Sequence, residues 1–117
     1  MSELKILTEL AAGGVTVFRL AGPLVLSTLF EFQNLARADA GSAIVVDLSG
    51  VPYMDSAGLG VLLGILASCQ RRARGFGIAG VPSRIRTLFM VAHVDGLIPT
   101  YDSVEIAAQS LSKPASS

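Results

Sequence analysis

The sequence predicts an α/β domain, a mixed β-sheet of about five strands with about four helices packed against it. Three observations carry this. Two β-rich segments open the chain and read as a hairpin. Ala43–Leu48 and Phe76–Val81 are short, nearly continuous apolar runs, the pattern of strands buried on both faces. Apolar residues at helical spacing fill the intervals between these runs, so strand and helix alternate along the rest of the chain.

Leu4 to Leu10 alternates, with Leu4, Ile6, Thr8 and Leu10 on one side and Lys5, Leu7 and Glu9 on the other. That is a strand with one partly wet face. Ala11-Ala-Gly-Gly14 is a turn, and Val15–Leu20 is the second arm of the hairpin. Ala21-Gly-Pro23 breaks that strand. A helix follows from Ser27, a favoured N-cap, to Ala38, with Leu29, Phe30, Phe32, Leu35 and Ala36 as its apolar positions. Asp39–Ser42 ends it and Ala43–Leu48 is the central strand. A loop from Ser49 to Asp55 leads into a helix from Ser56 to about Arg72, whose end carries Arg71, Arg72 and Arg74 and is stopped by Gly75. After the Phe76–Val81 strand, Pro82-Ser83 opens a helix to about Ala92 with Ile85, Leu88, Phe89 and Val91 as its apolar face. Leu97–Tyr101 is a short strand. Asp102-Ser-Val-Glu105 has capping-box spacing and starts a last helix to about Leu111. One domain over residues 1–111 and a disordered tail over 112–117 follow from this order.

The 117 residues suffice for one domain with a real core. Nine basic and nine acidic side chains give no net charge, which argues against direct nucleic-acid binding. One Cys and one His build neither an internal disulfide nor a structural zinc site, so no metal and a reducing cytoplasm are expected. Charged residues are 15% of the chain, against roughly 25% in an average domain, which leaves apolar surface for a partner or reflects a thoroughly buried sheet. No membrane span is expected, because the longest uncharged stretch, Ser56–Gln70, is shorter than the ~18–20 residues a helix needs and contains glycines. The opening Met1-Ser-Glu-Leu-Lys-Ile6 has neither the basic start nor the apolar run of a signal peptide.

The one loop with unusual content is Val51-Pro-Tyr-Met-Asp-Ser-Ala-Gly-Leu-Gly60. Dinucleotide binding would need G-x-G-x-x-G directly after a strand, whereas Gly58, Gly60 and Gly64 have the wrong spacing and come late. A serine hydrolase built on Ser56 and His93 would need a G-x-S-x-G elbow, but residues 54–58 read Met-Asp-Ser-Ala-Gly. Asp55 or Ser56 caps the following helix in any case, with the three glycines allowing it to lie close to a neighbour. A further reading is a regulated contact. Phosphate on a serine at a helix start adds about −1.5 to −2 charges. The helix dipole tolerates that anion in the free protein, while an apolar interface must desolvate it at a cost on the order of 2–5 kcal/mol.

Val45-Val-Asp-Leu-Ser-Gly-Val-Pro-Tyr-Met-Asp-Ser-Ala-Gly-Leu-Gly60, followed by a helix and Gly77-Ile-Ala-Gly-Val81, resembles the STAS family and closely the bacterial anti-sigma-factor antagonists. The likeness runs from about Val15 to Leu111, and Arg86-Thr-Leu-Phe89 and Gly96-Leu-Ile98 fall where such proteins carry similar segments. It implies a small α/β domain with no catalytic residues and no cofactor of its own. In its unphosphorylated form it would bind an anti-sigma-factor serine kinase, which holds the ATP, and so free the sigma factor. That kinase would phosphorylate the serine matching Ser56 and end the complex, and a phosphatase would reverse the modification. Asp55 matches the acidic neighbour that positions the hydroxyl, and Asp47 the polar residue closing the central strand. Met54, Ala57, Gly58, Leu59 and Gly60 complete the partner-binding segment that the likeness implies. Gly22-Pro-Leu-Val25 departs from the antagonists' G-x-L-D, so the serine's surroundings lack one carboxylate. A scaffold or transporter-associated subunit that never carries phosphate is the alternative, and a small-molecule-binding domain a third.

Three side readings remain. Arg71, Arg72 and Arg74 either dock an acidic partner or simply favour a helix C-terminus. Leu59–Leu66 is apolar nearly all round: either core packing on the sheet accounts for all of it, or it accounts for one face and a partner-facing groove for the remainder. Cys69 reads as a buried apolar residue.

Overall fold

The computed structural model describes residues 3–112. Strands β1 (Lys5–Ala11) and β2 (Val15–Ala21) pair antiparallel through a turn at Ala12–Gly14. That turn places Gly13 at φ 77° and Gly14 at φ 81°, a region that side chains with a Cβ disfavour. Then follow α1 (Leu29–Ala38), β3 (Ala43–Gly50), α2 (Ser56–Arg71), β4 (Gly75–Ala79), α3 (Ser83–Val91), β5 (Thr100–Tyr101) and α4 (Val104–Leu111). The strands stand in the sheet in chain order, and every pair after the first is parallel.

This order fixes the layers. Each crossover steps to the next strand in the same direction, and parallel crossovers are right-handed, so α1, α2 and α3 fall on one face. There Leu29 and Phe32 of α1, Leu62 and Ile65 of α2, and Ile85 and Phe89 of α3 pack on Phe18, Ile44, Val46 and Ile78. Phe18 and Phe32 meet edge to face, ring centroids 5.7 Å apart. The opposite face is left to α4, whose Val104 and Ala107 cover Val15, Val17, Ala43, Val45 and Ala79. Alternate residues of β3 therefore serve two cores, which is why its sequence reads as an unbroken apolar run. Glycine in β4 makes room for α4: a Cβ at Gly77 would stand 2.6 Å from the Tyr101 ring and 3.2 Å from Leu111.

The five strands and four helices match the sequence reading in kind and order. Several details differ. α1 begins at Leu29, not Ser27, and Thr28 occupies the cap position without capping. The Thr28 hydroxyl instead donates to the Pro23 carbonyl at 2.7 Å and accepts from the Val25 N–H, tying up the loop ahead of the helix. The apolar stripe of α1 is narrower than its composition suggests, since Phe30 and Leu35 face solvent. Leu10 and Val91 are also exposed.

Gly75 does not stop α2; it is the first residue of β4. The stop is Ala73, at φ 55°, where the Arg74 N–H returns to the Cys69 carbonyl and the Ala73 N–H to that of Gln70. His93, at φ 59°, ends α3 in the same way. β5 is only Thr100–Tyr101, not Leu97–Tyr101. The Asp102–Glu105 box does not form: the Ser103 hydroxyl caps α4 by accepting from the Ile106 N–H. Glu105 reaches across to Arg19 instead. Of the proposed tail, residues 113–117 lie outside the described residues.

Candidate functional site

Beyond the carboxyl ends of β2 and β3 the two chains keep running side by side. The Gly22 N–H donates to the Gly50 carbonyl at 2.9 Å, the Leu24 N–H donates to the Tyr53 carbonyl at 3.2 Å, and Leu24 bridges Met54. The loop before α1 is thereby laid along the loop before α2. Asp47, 8% exposed, does not close the central strand but lies inside β3, three residues before its end at Gly50: its carboxylate accepts from the Ser49 N–H and from Arg19.

Asp55 is the N-cap of α2. One carboxylate oxygen accepts from the Gly58 N–H at 2.9 Å, and the other accepts from the Leu26 N–H at 3.1 Å. The Gly58 N–H is the chief cause that holds this carboxyl below the ordinary aspartate value, with the Leu26 N–H adding to it against a partial desolvation. Both oxygens are engaged by backbone, so Asp55 fixes the helix start and the neighbouring loop rather than the Ser56 hydroxyl.

Ser56 is the first residue of α2 and is exposed. Among the described residues its hydroxyl has no hydrogen-bond partner. The two loops that meet at Asp55 each carry a large apolar side chain open to solvent, Leu26 (60% exposed), whose N–H the Asp55 carboxylate holds, and Tyr53 (45%), three residues ahead of Ser56. From Ser56 the outer face of α2 continues at four-residue steps through Gly60 and Gly64, where an added Cβ would meet nothing within 4 Å. Ala57 is half-buried.

Met54, Gly58 and Leu59 turn inward. Met54 and Leu59 belong to the main core, and a Cβ on Gly58 would run into the Leu24 carbonyl. Gly58 therefore serves close packing within the chain, as expected of it, while Gly60 and Gly64 do not. The surface at the site is made by Ser56, Gly60 and parts of Asp55 and Ala57, together with Leu26 and Tyr53, which sequence reasoning missed. The signal for Leu26 was present: Leu24-Val-Leu26 is an apolar run inside a loop, with no strand or helix periodicity to account for it.

The other candidates separate. Arg74 is not a docking residue, because its guanidinium is 2.6 Å from the Asp39 carboxylate and also donates to the Gly41 carbonyl. Arg71 and Arg72 are exposed at the end of α2. His93 makes no hydrogen bond to Ser56 and sits at the end of α3, so no serine–histidine pair is assembled. Cys69 is buried, and burial raises its thiol pKa. No helix among the described residues is long and apolar enough to cross a membrane.

The family model for the STAS domain matches residues 10–107, from the end of β1 to the middle of α4. The chain belongs to the STAS family. The anti-sigma-B factor antagonist of Staphylococcus aureus is a relative, 31% identical over 91 residues that cover 75% of this STAS chain and 84% of the relative. Among solved structures, an anti-sigma factor antagonist from Mycobacterium paratuberculosis superposes with a TM-score of 0.81 at 24% identity, over 92% of this chain and 93% of that one. The antagonist SpoIIAA in its unphosphorylated form gives a TM-score of 0.75 at 18% identity, over 91% and 96%. SpoIIAA of Bacillus in its phosphorylated form gives 0.70 at 16%, over 91% and 99%. These structural likenesses show that the STAS fold is shared; the S. aureus relative ties the sequence itself to the antagonists.

Proposed function

We propose that this STAS domain is an anti-sigma-factor antagonist whose unphosphorylated form binds a serine-kinase anti-sigma factor, and that phosphorylation of Ser56 ends the complex. The observation that carries the reading is the Ser56 hydroxyl: exposed, without a hydrogen-bond partner among the described residues, and set in the first turn of α2 behind the Asp55 cap. A kinase can reach such a group without unfolding anything. The relatives named as antagonists, one of them known in both phosphorylated and unphosphorylated forms, support the reading.

The release follows from electrostatics. A phosphate on Ser56 adds about −1.5 to −2 charges beside the Asp55 carboxylate. The α2 dipole favours it by roughly 0.3–1 kcal/mol, and Asp55 offsets part of that. In a contact that covers Leu26, Tyr53 and the glycine face of α2, the same anion is desolvated. The loss is on the order of 2–5 kcal/mol. Since 1.4 kcal/mol is about tenfold in affinity, the penalty exceeds the dipole gain.

The chain supplies the hydroxyl and its surroundings; ATP and the catalytic base belong to the kinase, and a phosphatase restores the free form. Intact mass after incubation with the kinase and magnesium ATP is the test. One phosphate on the wild type and none on Ser56→Ala is the expected result. Val25 motivates the second reading, a scaffold or transporter-associated subunit that carries no phosphate, because it places an aliphatic side chain in the loop that Asp55 grips. No mass gain in either protein supports that scaffold and overturns the switch.

A further inference from the structure

β1 is the outer strand of the sheet: one edge pairs with β2, and the other pairs with no strand among the described residues. It is seven residues long, whereas the opposite edge strand, β5, has two. Natural edges are blunted by shortness, proline, bulges or charged side chains. β1 is long, unbulged and free of proline, and its two charges, Lys5 and Glu9, are opposite in sign, so they repel no copy that pairs them with each other. Its register with β2 runs unbroken from Lys5 opposite Ala21 to Ala11 opposite Val15. It also exposes large apolar side chains on both faces, Leu7 at 56% and Leu10 at 84%.

The charges of β1 are placed symmetrically. Lys5 and Glu9 lie two residues to either side of Leu7 and on the same face as it. We infer that β1 pairs antiparallel with β1 of a second copy about a two-fold axis through Leu7, giving a continuous ten-stranded sheet. In that register Lys5 of each copy faces Glu9 of the other, Leu4 faces Leu10, Ile6 faces Thr8, and Leu7 faces its own counterpart. Odd residues meet odd and even meet even, so the register serves whichever set of backbone groups points outward. Opposite charges therefore meet at both ends and apolar side chains meet on both faces. Glu9 is already fixed: it accepts from Arg19 Nε at 3.0 Å while its side chain stays 41% exposed. The contact is isologous and closes at two copies.

Sedimentation of the full chain from micromolar to near-millimolar concentration tests this, with circular dichroism confirming that each variant folds. The wild type forms a reversible dimer, and Lys5→Glu, which sets like charges opposite each other, weakens it at least tenfold. Leu7→Cys cross-links to itself under mild oxidation, whereas Leu10→Cys, though more exposed, does not. Ser56→Asp dimerises as the wild type does, so this outcome is separate from that of the phosphate switch. A wild type monomeric at every concentration overturns the inference. So does a dimer indifferent to Lys5→Glu, or self-cross-linking of Leu10→Cys as fast as that of Leu7→Cys.

Discussion

Ser56 and Asp55 are neighbours in sequence with opposite engagements. The aspartate commits both oxygens to the backbone, and the serine hydroxyl is left uncommitted. Removing the cap with Asp55→Ala costs about 1 kcal/mol and frees the Leu26 N–H, so it lowers stability in urea unfolding and weakens partner binding together. Asp55→Asn keeps a capping oxygen but loses the charge. The folded-state pKa of Asp55 is depressed below its ordinary 3.8, so its charged form stabilises the fold fully above that value and the benefit is lost as pH falls through the folded value. The stability gap between wild type and Asp55→Asn is therefore present at neutral pH and closes on acidification below the ordinary aspartate range. At the other ends of the helices, Ala73 and His93 hold φ of 55° and 59°. Replacing either with Gly relieves a left-handed strain of about 1 kcal/mol, partly offset by the greater freedom of unfolded glycine. Each variant raises the melting temperature by a few degrees or less.

α2 carries the site because one of its faces is packed into the chain and another is left bare. Gly58 and Gly60 are two residues apart, hence about 200° apart around the helix, so they cannot face the same neighbour. Gly58→Ala drives a Cβ into the Leu24 carbonyl and lowers stability, while Gly60→Ala leaves stability unchanged or raises it, as thermal unfolding of the two variants will show. The far end of α2 is anchored by Arg74 and Asp39, whose side chains are 11% and 15% exposed. Arg74→Ala removes the cation from that carboxylate but leaves it the Thr16 hydroxyl and the Gly41 N–H, so its cost falls below the roughly 3–5 kcal/mol of a fully buried pair broken on one side. The start of α2 was legible from Asp-Ser alone, because capping is local chemistry. The second grip of Asp55 on Leu26, the use of Arg74 and the idle state of Gly60 were not, since each depends on which element lies across from it. The left-handed Ala73 was hidden for a different reason: propensity points to the nearby glycine, and tertiary packing overrode it.

At the scale of the molecule, strand order does most of the explaining. Sequential parallel crossovers put three helices on one face, leave the other to α4, and bring the loops after β2 and β3 together at one end, where Ser56 stands. The alternation of β runs and helical intervals was enough to read this architecture. The narrow stripe of α1 and the brevity of β5 were not, because apolar residues such as Phe30, Leu35 and Leu97 remain on the surface. Some of that exposed apolar surface, Leu26 and Tyr53, belongs to the two loops that meet ahead of the serine, consistent with the low charged fraction.

The most direct measurement is the dissociation constant of the anti-sigma kinase, in the presence of ADP, for the unmodified chain and for the same chain quantitatively phosphorylated on Ser56. The release switch predicts binding at least tenfold weaker after modification, with the fold unchanged by circular dichroism. Equal constants for the two forms would contradict it.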